Sequence, residues 1–509
     1  MSTFVLMELC KQSGVKNVIY QLLAPSITLN LDEVEENRSY AVIIDKGIRY
    51  CLTGNSGIYD EEASYVLLTD RTPTKQKLID NEIKQRKWIK HPNQIEASPD
   101  DVINSWENRF HFKLEKNEAH PGLRRPQLGA LHALLSHMLA PTETATVVLP
   151  TGTGKTETMM SALVAGRCNR VLVTVPTNAL RRQLFNKFKT LGILKKAKFE
   201  IVDKEALYPI VGVITSAFEG EDQLKSFIRQ CNVVITTMQI IDHAPEEQQD
   251  VYVSSFSNVF VDEAHHIVAT SWRKFSDRFP RHQLVQFTAT PFRNDGQRLD
   301  GKIIFNYPLR QAQKDGYYRT IHFLPVREYG EEAIADKAIA EKAVEKLKDD
   351  QKHYQHIMMA RCETKSRAQA VYKIYKELCP ELRIVLLYSG CPDYIENYNK
   401  VLKRDVDIVV CVNMLGEGFD LPELKIAAFH DIRKSLPITL QFSGRFTRTS
   451  RDAELGDASF VANIADLTVK QELDSLYEED ADWNILLADA NDNKVTDEKE
   501  FKDFIEGFK

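Results

Sequence analysis

The chain has 509 residues, of which 43% are hydrophobic and 27% charged, with a formal net charge of −6 at pH 7. This composition excludes the disordered, fibrous and disulfide-scaffold classes, and the acidic balance gives no global basic signature for a polyanionic partner, although a cleft can still be locally positive. The eight cysteines show no C-x-x-C spacing, which favours reduced thiols. With no apolar run of the roughly 18 residues that a membrane helix needs and no signal-peptide pattern, we expect a cytoplasmic protein without a membrane partner.

Residues 1–115 are predicted to form a small α/β accessory domain. Within it, residues 40–44 and 65–68 have the composition of strands, and the charged stretch 72–91 is typical of a helix. Its acidic residues, such as Glu8, Asp45 and Glu62, do not assemble into a metal-binding nuclease motif. We therefore expect any cleavage activity to reside on a partner.

An α/β domain is predicted over residues 116–325. Its apolar runs are rich in Val and Ile and are continuous rather than alternating, which is typical of strands buried on both faces of a parallel sheet. These runs are 144–149, 170–175, 211–214, 233–236, 259–261 and 284–287. Helix-like stretches such as 180–188 separate them, and this alternation predicts a doubly wound fold.

A second α/β domain is predicted over residues 326–468. A charged, Ala-rich stretch predicts a helix over 331–348. Buried-type strands are then predicted at 356–360, 384–388, 408–412, 426–430 and 459–464. From 469 to 509 the chain turns acidic, which indicates a solvated helical tail.

A glycine-rich turn follows the predicted strand at 144–149. The sequence Pro-Thr-Gly-Thr-Gly-Lys-Thr occupies 150–156, and the stretch 157–165 is helix-like. Strand, turn and helix in this order form the context of a phosphate-binding P-loop. The strict P-loop pattern has glycine where this chain has Leu149.

The P-loop residue types fit the chemistry of ATP. Gly152 and Gly154 allow backbone N–H groups to converge on a phosphate, and the helix that begins near Lys155 adds the positive end of its dipole. Lys155 is placed to reach the β- and γ-phosphates, and Thr156 to bind Mg²⁺. Thr151 and Thr153 complete the predicted cradle.

An acidic pair closes the predicted strand at 259–261. Asp262 can hold the Mg²⁺ that bridges two phosphates, and Glu263 can orient and deprotonate the attacking water. Such a pair could also cap the following helix, but its place in one domain with the P-loop favours the ATP site. His265 and His266 have no third ligand at a suitable spacing, so we predict no metal site there.

Taken in order, these motifs resemble the superfamily 2 helicases of the DEAH type over about residues 120–465. The segments that carry the resemblance are Arg-Arg-Pro-Gln at 124–127, the P-loop, Pro-Thr-Asn at 176–178, Thr-Thr at 236–237, Asp-Glu-Ala-His at 262–265, Thr-Ala-Thr at 288–290, Asn-Met-Leu-Gly-Glu-Gly-Phe-Asp at 413–420 and Gln-Phe-Ser-Gly-Arg-Phe-Thr-Arg at 441–448. The resemblance implies two tandem RecA-like domains with parallel sheets. It also implies ATP and Mg²⁺ as cofactors and a nucleic-acid strand as partner.

The resemblance assigns further residues to the nucleotide. Gln127 would recognise adenine, Gly418 would allow a close backbone approach, and Asp420 would contact ribose. In the same way, Gln441 would approach the γ-phosphate or the water.

Two arginines of the second domain would act as arginine fingers. Arg445 and Arg448 are three residues apart on a predicted helix and share one face. Fingers of this kind raise the rate by about 10³–10⁵ in related NTPases. The alternative is a salt-bridged helix face.

Seven residues are candidates for contacts with the strand's phosphate oxygens, because short polar side chains and backbone N–H groups suit contacts that do not read sequence. They are Pro176, Thr177, Asn178, Thr236, Thr237, Thr364 and Lys365. Asn178, Thr237, Thr364 and Lys365 could equally be helix caps.

The stretch Pro-Phe-Arg-Asn-Asp at 291–295 resembles the branch that includes DNA-repair helicases and restriction-enzyme motors, which favours DNA over RNA and suggests defence or repair by analogy. Three functions stay open: an ATP-driven helicase or translocase, a nucleic-acid-sensing ATPase switch that signals to a partner effector such as a nuclease, and a P-loop ATPase that acts on protein or small molecules. The candidate base and arginine fingers favour the first. The strand-contact motifs disfavour the third.

Overall fold

The computed structural model describes residues 2–94, 96–117, 119–140, 143–150, 152–264, 278–289, 299, 301–317, 321–412, 421, 423–430 and 456–463. The chain divides into two compact units. The first unit takes in Met1–Ala145, Thr156–Glu263 and Ile267–Gln286, and the second Thr146–Lys155, Ala264–His266 and Phe287–Lys509. The domain boundaries expected from the sequence, at 115, 325 and 468, remain a prediction.

The first 105 residues are mainly β-structure. Their elements are β1 (Thr3–Leu6), β2 (Leu9–Ser13), β3 (Val18–Ala24), β4 (Ile27–Asn30), β5 (Glu33–Glu36), β6 (Tyr40–Asp45), β7 (Ile48–Thr53), β8 (Tyr65–Thr69), α1 (Lys75–Ile79), β9 (Gln85–Lys90) and α2 (Pro99–Ser105). Strands β5 to β9 form a sheet in chain order, in which β7 and β8 are parallel and the other neighbours antiparallel. The strands predicted at 40–44 and 65–68 are confirmed by β6 and β8.

The single helix predicted over residues 72–91 is wrong. The structure has the short helix α1 and then β9, an edge strand paired with β8. The side chain of Trp88 is buried with its ring 6.2 Å from that of Tyr65, while Arg86 and Lys87 are exposed. Burial of the aromatic side chain outweighs the helix-like charge pattern, because exposed cationic residues also suit the edge of a sheet.

The β2–β3 hairpin joins the larger sheet of the first unit. Six neighbouring strands follow the order β14-β11-β13-β12-β3-β2, where β11 is Val171–Val175, β12 is Ile210–Val213, β13 is Val233–Thr237 and β14 is Asn258–Asp262. Strands β11 to β14 run parallel, and β3 runs antiparallel to β12. The side chains of β11 and β13 are buried throughout, which explains their continuous apolar sequence.

Further elements occur between residues 125 and 314. They are α3 (Arg125–Leu139), β10 (Ala145–Val148), α4 (Lys155–Ala165), α5 (Asn178–Phe188), α6 (Glu221–Arg229), α7 (Met238–Asp242), α8 (Glu246–Ser255), β15 (Leu284–Thr288), β16 (Lys302–Asn306) and α9 (Leu309–Lys314). The six strands predicted between 144 and 287 are all confirmed within one or two residues, as are the helical stretches at 157–165 and 180–188. Strand β16 was not predicted.

A parallel six-stranded sheet organises the second unit. Its elements are β17 (Ile321–Val326), α10 (Glu332–Asp350), β18 (Ile357–Cys362), α11 (Lys365–Leu378), β19 (Ile384–Leu387), α12 (Tyr394–Leu402), β20 (Ile408–Val412), β21 (Leu424–Phe429) and β22 (Ala458–Asn463), and the strand order is β17-β22-β21-β18-β20-β19. Alternate residues of β18 enter separate hydrophobic clusters on the two faces. The helix predicted at 331–348 and the five predicted strands are confirmed. The α/β fold with parallel sheets is confirmed with them.

All eight cysteines are free thiols, as the sequence predicts. Within the described part of the chain, no helix is both long and apolar enough to span a bilayer.

Candidate functional site

The P-loop has the backbone conformation that its glycines predict. Gly152 and Gly154 have φ values of +90° and +104°, which side-chain-bearing residues rarely adopt. Between them, Thr153 closes the turn: its backbone N–H and its hydroxyl both donate to the carbonyl of Pro150, at 3.1 and 2.7 Å. Helix α4 begins at Lys155 directly after this turn, so its N-terminal N–H groups face the turn.

Backbone hydrogen bonds fix the strand end from which the P-loop departs. The N–H of Leu149 donates to the carbonyl of Thr288 at 2.9 Å, and the N–H of Tyr307 donates to that of Val148 at 3.0 Å. Thr288 is the first residue of the predicted Thr-Ala-Thr motif and is fully buried. The structure therefore brings the start of that motif directly beside the start of the P-loop.

The acidic pair lies at the end of β14, as predicted. Asp262 is buried, and its Oδ1 accepts a hydrogen bond from the backbone N–H of Glu263 at 3.1 Å. Glu263 has a φ of +50°, a left-handed conformation that costs a residue other than glycine about 1–2 kcal/mol. Strained conformations of this kind are concentrated at functional sites.

Gln127 has a structural partner in addition to its predicted contact with adenine. Its side chain is buried, and Oε1 accepts a 2.7 Å hydrogen bond from the N–H of Arg124. It therefore caps the start of α3, where Pro126 occupies the first turn. The adenine contact remains a prediction.

The structure shows the capping role for two of the predicted strand contacts. Thr177 caps α5 by accepting the N–H of Leu180 at 3.3 Å, and Thr364 caps α11 by accepting that of Arg367 at 3.2 Å. Both threonines are exposed, and the exposed residues Asn178 and Lys365 begin the two helices. Capping occupies the hydroxyl oxygen, and contacts with a strand remain predictions for these residues and for Pro176.

The two remaining predicted contacts, Thr236 and Thr237, are buried at the end of β13. The hydroxyl of Thr236 donates to the carbonyl of Ile214 at 3.2 Å. That side chain therefore positions the loop after β12. The backbone of Thr237 lies at the N-terminus of α7.

Two residues near the end of β13 and the loop after β12 were not predicted from the sequence. The guanidinium of Arg181 donates to the same Ile214 carbonyl at 3.1 Å, and the side chain of Asn17 is hydrogen-bonded to Thr215 and Ser216. Arg181 could have been found because it lies three residues after Asn178 on one helix face. Asn17 carried no sequence signal, because its partners are about 200 residues away in the chain.

A buried ionic network supports the start of α11 in the second unit. Asp336 contacts Arg367 at 2.9 Å and His430 Nδ1 at 2.8 Å, and the second ring nitrogen of His430 lies 3.1 Å from the hydroxyl of Tyr375. Burial alone would raise the pKa of Asp336, but hydrogen bonds from His430 and Arg367 hold it below its usual value. Burial lowers the pKa of His430 despite the neighbouring carboxylate.

Several predicted positions lie outside the described residues. These are Thr151, Gly418, Asp420, Gln441, Arg445 and Arg448, together with His265, His266, Thr290, the segment 291–295 and the tail 469–509. Their roles remain predictions.

Comparison with known proteins gives matches to helicases and restriction-enzyme subunits. Residues 120–293 match the family described as "Type III restriction enzyme, res subunit". The ATP-dependent RNA helicase DRS1 of Eremothecium gossypii is 23% identical over 373 residues, which cover 65% of this chain and 46% of that protein. The chain therefore spans just under half the length of that relative.

Solved structures extend the likeness to most of the chain. A fragment of a putative HsdR subunit of a type I restriction enzyme from Vibrio vulnificus YJ016 superposes with a TM-score of 0.51 at 15% identity, covering 92% of this chain and 88% of that one. Dbp5 of S. cerevisiae, bound to RNA and ADP BeF3, gives a TM-score of 0.42 at 13% identity and covers 70% and 91% of the two chains.

The similarity to the HsdR fragment concerns the fold, which agrees with the predicted tandem RecA-like architecture. The family match spans both the P-loop and the acidic pair at the end of β14. In the order of its motifs and in this match over residues 120–293, the chain is similar to the superfamily 2 helicases.

Proposed function

We propose that this chain is an ATP-dependent helicase or translocase that couples hydrolysis of Mg-ATP to movement on DNA. The observation that carries the proposal is the P-loop turn, with left-handed glycines between β10 and α4, in a chain whose family match also includes an acidic pair at a strand end. A cradle of this shape suits a phosphate chain. The aspartate and the adjacent glutamate supply the other groups that hydrolysis needs.

Each residue of this site has a proposed task. Lys155 holds the β- and γ-phosphates, and Glu263 orients the attacking water and takes its proton. The hydroxyl of Thr156 and the carboxylate of Asp262 are hard oxygen ligands of the kind that Mg²⁺ prefers. The metal, when bound, neutralises charge on the phosphates. Gln127 would use its amide group on adenine.

The second RecA-like domain would complete the site. Arg445 and Arg448 would stabilise negative charge on the transferred phosphoryl group, with Gln441 beside them, while Gly418 and Asp420 would contact the nucleotide. We assign this domain to 326–468 and the first RecA-like domain to 116–325. In such motors, opening and closing of the cleft between the domains accompanies the ATP cycle.

Two of the comparisons favour DNA as the substrate, and one favours RNA. The matched family is described as a type III restriction-enzyme subunit, and the HsdR fragment comes from a type I restriction enzyme. The curated relative, in contrast, is named as an RNA helicase. We propose DNA, and by the same analogy a role in defence or repair with a nuclease or effector partner, in the cytoplasm.

A second candidate is a nucleic-acid-sensing ATPase switch that signals to an effector. One feature favours it: the N-terminal region is joined to the sheet of the first unit through β3, which pairs with β12. A conformational change in that sheet would therefore reach the N-terminal region directly. Such signalling would not require translocation along a nucleic-acid strand.

The deciding experiment is steady-state ATPase activity with Mg²⁺ against a panel of no nucleic acid, single-stranded DNA, duplex DNA, forked DNA, single-stranded RNA and duplex RNA. Strong stimulation by a DNA class, together with strand displacement or translocation, supports the proposal. Stimulation by RNA alone would reassign the substrate. Stimulation without movement would favour the switch, and no stimulation by any strand would refute both.

The variant Glu263→Gln serves as the matched catalytic control. It keeps the shape of the side chain and removes the base, so ATP should still bind while turnover is lost. A variant that hydrolyses ATP at the parental rate would show that the water is activated by another residue.

A further inference from the structure

The turn of the β2–β3 hairpin lies at the carboxyl edge of the parallel strands in the first unit. Val18, the first residue of β3, pairs with Val213, the last residue of β12. The turn that precedes Val18 is therefore level with the end of β12. Strand β12 pairs in parallel with β13, which ends at Thr237. Residues 14–17 thus lie at the same edge of the sheet as the residues predicted to contact nucleic acid, which directly follow β11 and form the end of β13.

Hydrogen bonds fasten this turn to the loop after β12. The side-chain oxygen of Asn17 accepts the backbone N–H groups of Thr215 and Ser216 at 2.9 and 3.2 Å, and its amide group donates to the carbonyl of Ser216 at 3.1 Å. The hydroxyl of Thr215 donates in return to the carbonyl of Lys16 at 2.6 Å. The hairpin turn is therefore built into the edge of the sheet.

The turn also requires glycine at position 14. Gly14 has a φ of +84°, and a Cβ atom at this position would lie 2.0 Å from the carbonyl oxygen of Asn17. No side chain fits there without a change of the backbone. The two residues between them, Val15 and Lys16, are consequently held out at the tip, and both are exposed, Val15 to 96%.

The same loop joins the turn to residues already implicated in strand contact. The carbonyl of Ile214 accepts both the hydroxyl of Thr236 at 3.2 Å and the guanidinium of Arg181 at 3.1 Å. Arg181 lies one helical turn after Asn178 at the start of α5. These hydrogen bonds therefore connect the residues predicted to contact nucleic acid with the hairpin turn.

We propose that residues 14–17 form an additional nucleic-acid contact of the first unit. The ammonium group of Lys16 would pair with a backbone phosphate, and Val15 would pack against a sugar or base of the same strand. Because hydrogen bonds already hold the backbone of the turn, pairing with a phosphate would order only the side chain of Lys16. An exposed β-branched side chain also has few rotamers to lose. This inference rests on the proposed function, and it extends the proposed nucleic-acid-binding surface to the N-terminal region.

The test compares strand affinity among three exposed-lysine variants of the full-length protein. Lys16→Glu and Lys16→Ala alter the turn. Lys198→Glu is the matched control, because Lys198 is an exposed lysine of the same unit in the segment that precedes β12. Fluorescence anisotropy with labelled single-stranded and duplex DNA and RNA, at several salt concentrations, gives affinity and salt dependence.

We expect Lys16→Glu to weaken binding roughly fivefold or more and Lys16→Ala by less, because loss of a phosphate contact weakens binding to all sequences. The slope of log affinity against log salt should fall by about one for Lys16→Ala. Lys198→Glu should bind like the parent. Parental affinity and salt slope in both Lys16 variants would overturn the inference while leaving the proposed function intact. Failure of the parent to bind any strand would refute the proposed function first.

Photocrosslinking provides a second readout that does not depend on charge. A benzoyl-phenylalanine in place of Val15 should crosslink to a labelled strand. The same residue in place of Ile48, which is an exposed apolar residue beside the turn of the β6–β7 hairpin, should not. Equal crosslinking at both positions would reject a specific contact at the turn.

Discussion

The carboxylate of Asp262 accepts a hydrogen bond of 3.1 Å from the backbone amide of the next residue, Glu263, whose φ is +50°. This bond uses one carboxylate oxygen to hold the strained peptide that follows β14. The candidate metal ligand thereby fixes the conformation of the candidate base.

The strain at Glu263 predicts a gain of stability on removal of its side chain. Glu263→Gly should raise the free energy of unfolding by up to about 1 kcal/mol, because glycine adopts this φ without penalty, and should abolish ATP turnover. Glu263→Gln should lose turnover without the gain, since it keeps the Cβ atom. Thermal unfolding of both variants measures the difference. A Glu263→Gly protein much less stable than Glu263→Gln would show that the conformation is not strained.

The P-loop glycines predict selective loss of nucleotide binding. Gly154→Ala should weaken the binding of a fluorescent ATP analogue at least tenfold, because its φ of +104° is unfavourable for alanine by about 1–3 kcal/mol. Gly220→Ala is the control: Gly220 has an extended backbone, and a Cβ there meets no atom within 4 Å. Equal affinities of the two variants would contradict the cradle assignment.

Thr177 allows capping to be separated from strand contact. Thr177→Asp should keep the cap on α5, since aspartate is an equally good capping residue, but should weaken nucleic-acid binding by placing a negative charge where a phosphate is expected. Thr177→Ala should instead lower the free energy of unfolding by about 1 kcal/mol. Anisotropy and chemical denaturation measure the two effects. Undiminished binding by Thr177→Asp would leave Thr177 with the capping role alone.

The network around Asp336 predicts a strong dependence of stability on this carboxylate. Asp336→Asn should lower the free energy of unfolding by about 2 kcal/mol, because it removes the buried carboxylate partner of Arg367 and leaves it only the exposed Glu332. The exposed pair of Asp349 and Lys352 provides the control, and Asp349→Asn should change stability little. Urea denaturation at pH 7.5 gives the comparison. If the two variants lost similar free energies of unfolding, the network around Asp336 would contribute no more to stability than an exposed ion pair.

The same network predicts acid lability. Folding lowers the pKa of both His430 and Asp336. As the pH falls, both groups are therefore protonated in the unfolded chain at a higher pH than in the folded protein. Stability should therefore fall as the pH drops below about 6.5 for the histidine and further below about 4 for the aspartate. Denaturation of the parent between pH 7.5 and 5 measures the first step. Stability that rises over this range on acidification would contradict the sign.

Strands and helices of the two α/β regions were predictable because both faces of each sheet are covered. Runs such as that of β11 are then continuously apolar, and their sequence pattern alone identifies them. The helix expected over 72–91 failed because its pattern was one of charge, whereas residues 85–90 pair with β8 and bury Trp88. The P-loop was predictable since its chemistry is local in sequence. The bond network of Asn17 was not, because its partners are distant in the chain.

The position of β22 in the second unit has a consequence for synthesis of the protein. This strand comes last among the described elements, yet it lies between β17 and β21, and its partner β17 begins at Ile321. Pairing so distant in the chain makes folding slow. A nascent chain that stops before Ala458 leaves the edges of β17 and β21 open, and such edges invite aggregation. The unit can close only after residue 463 has left the ribosome.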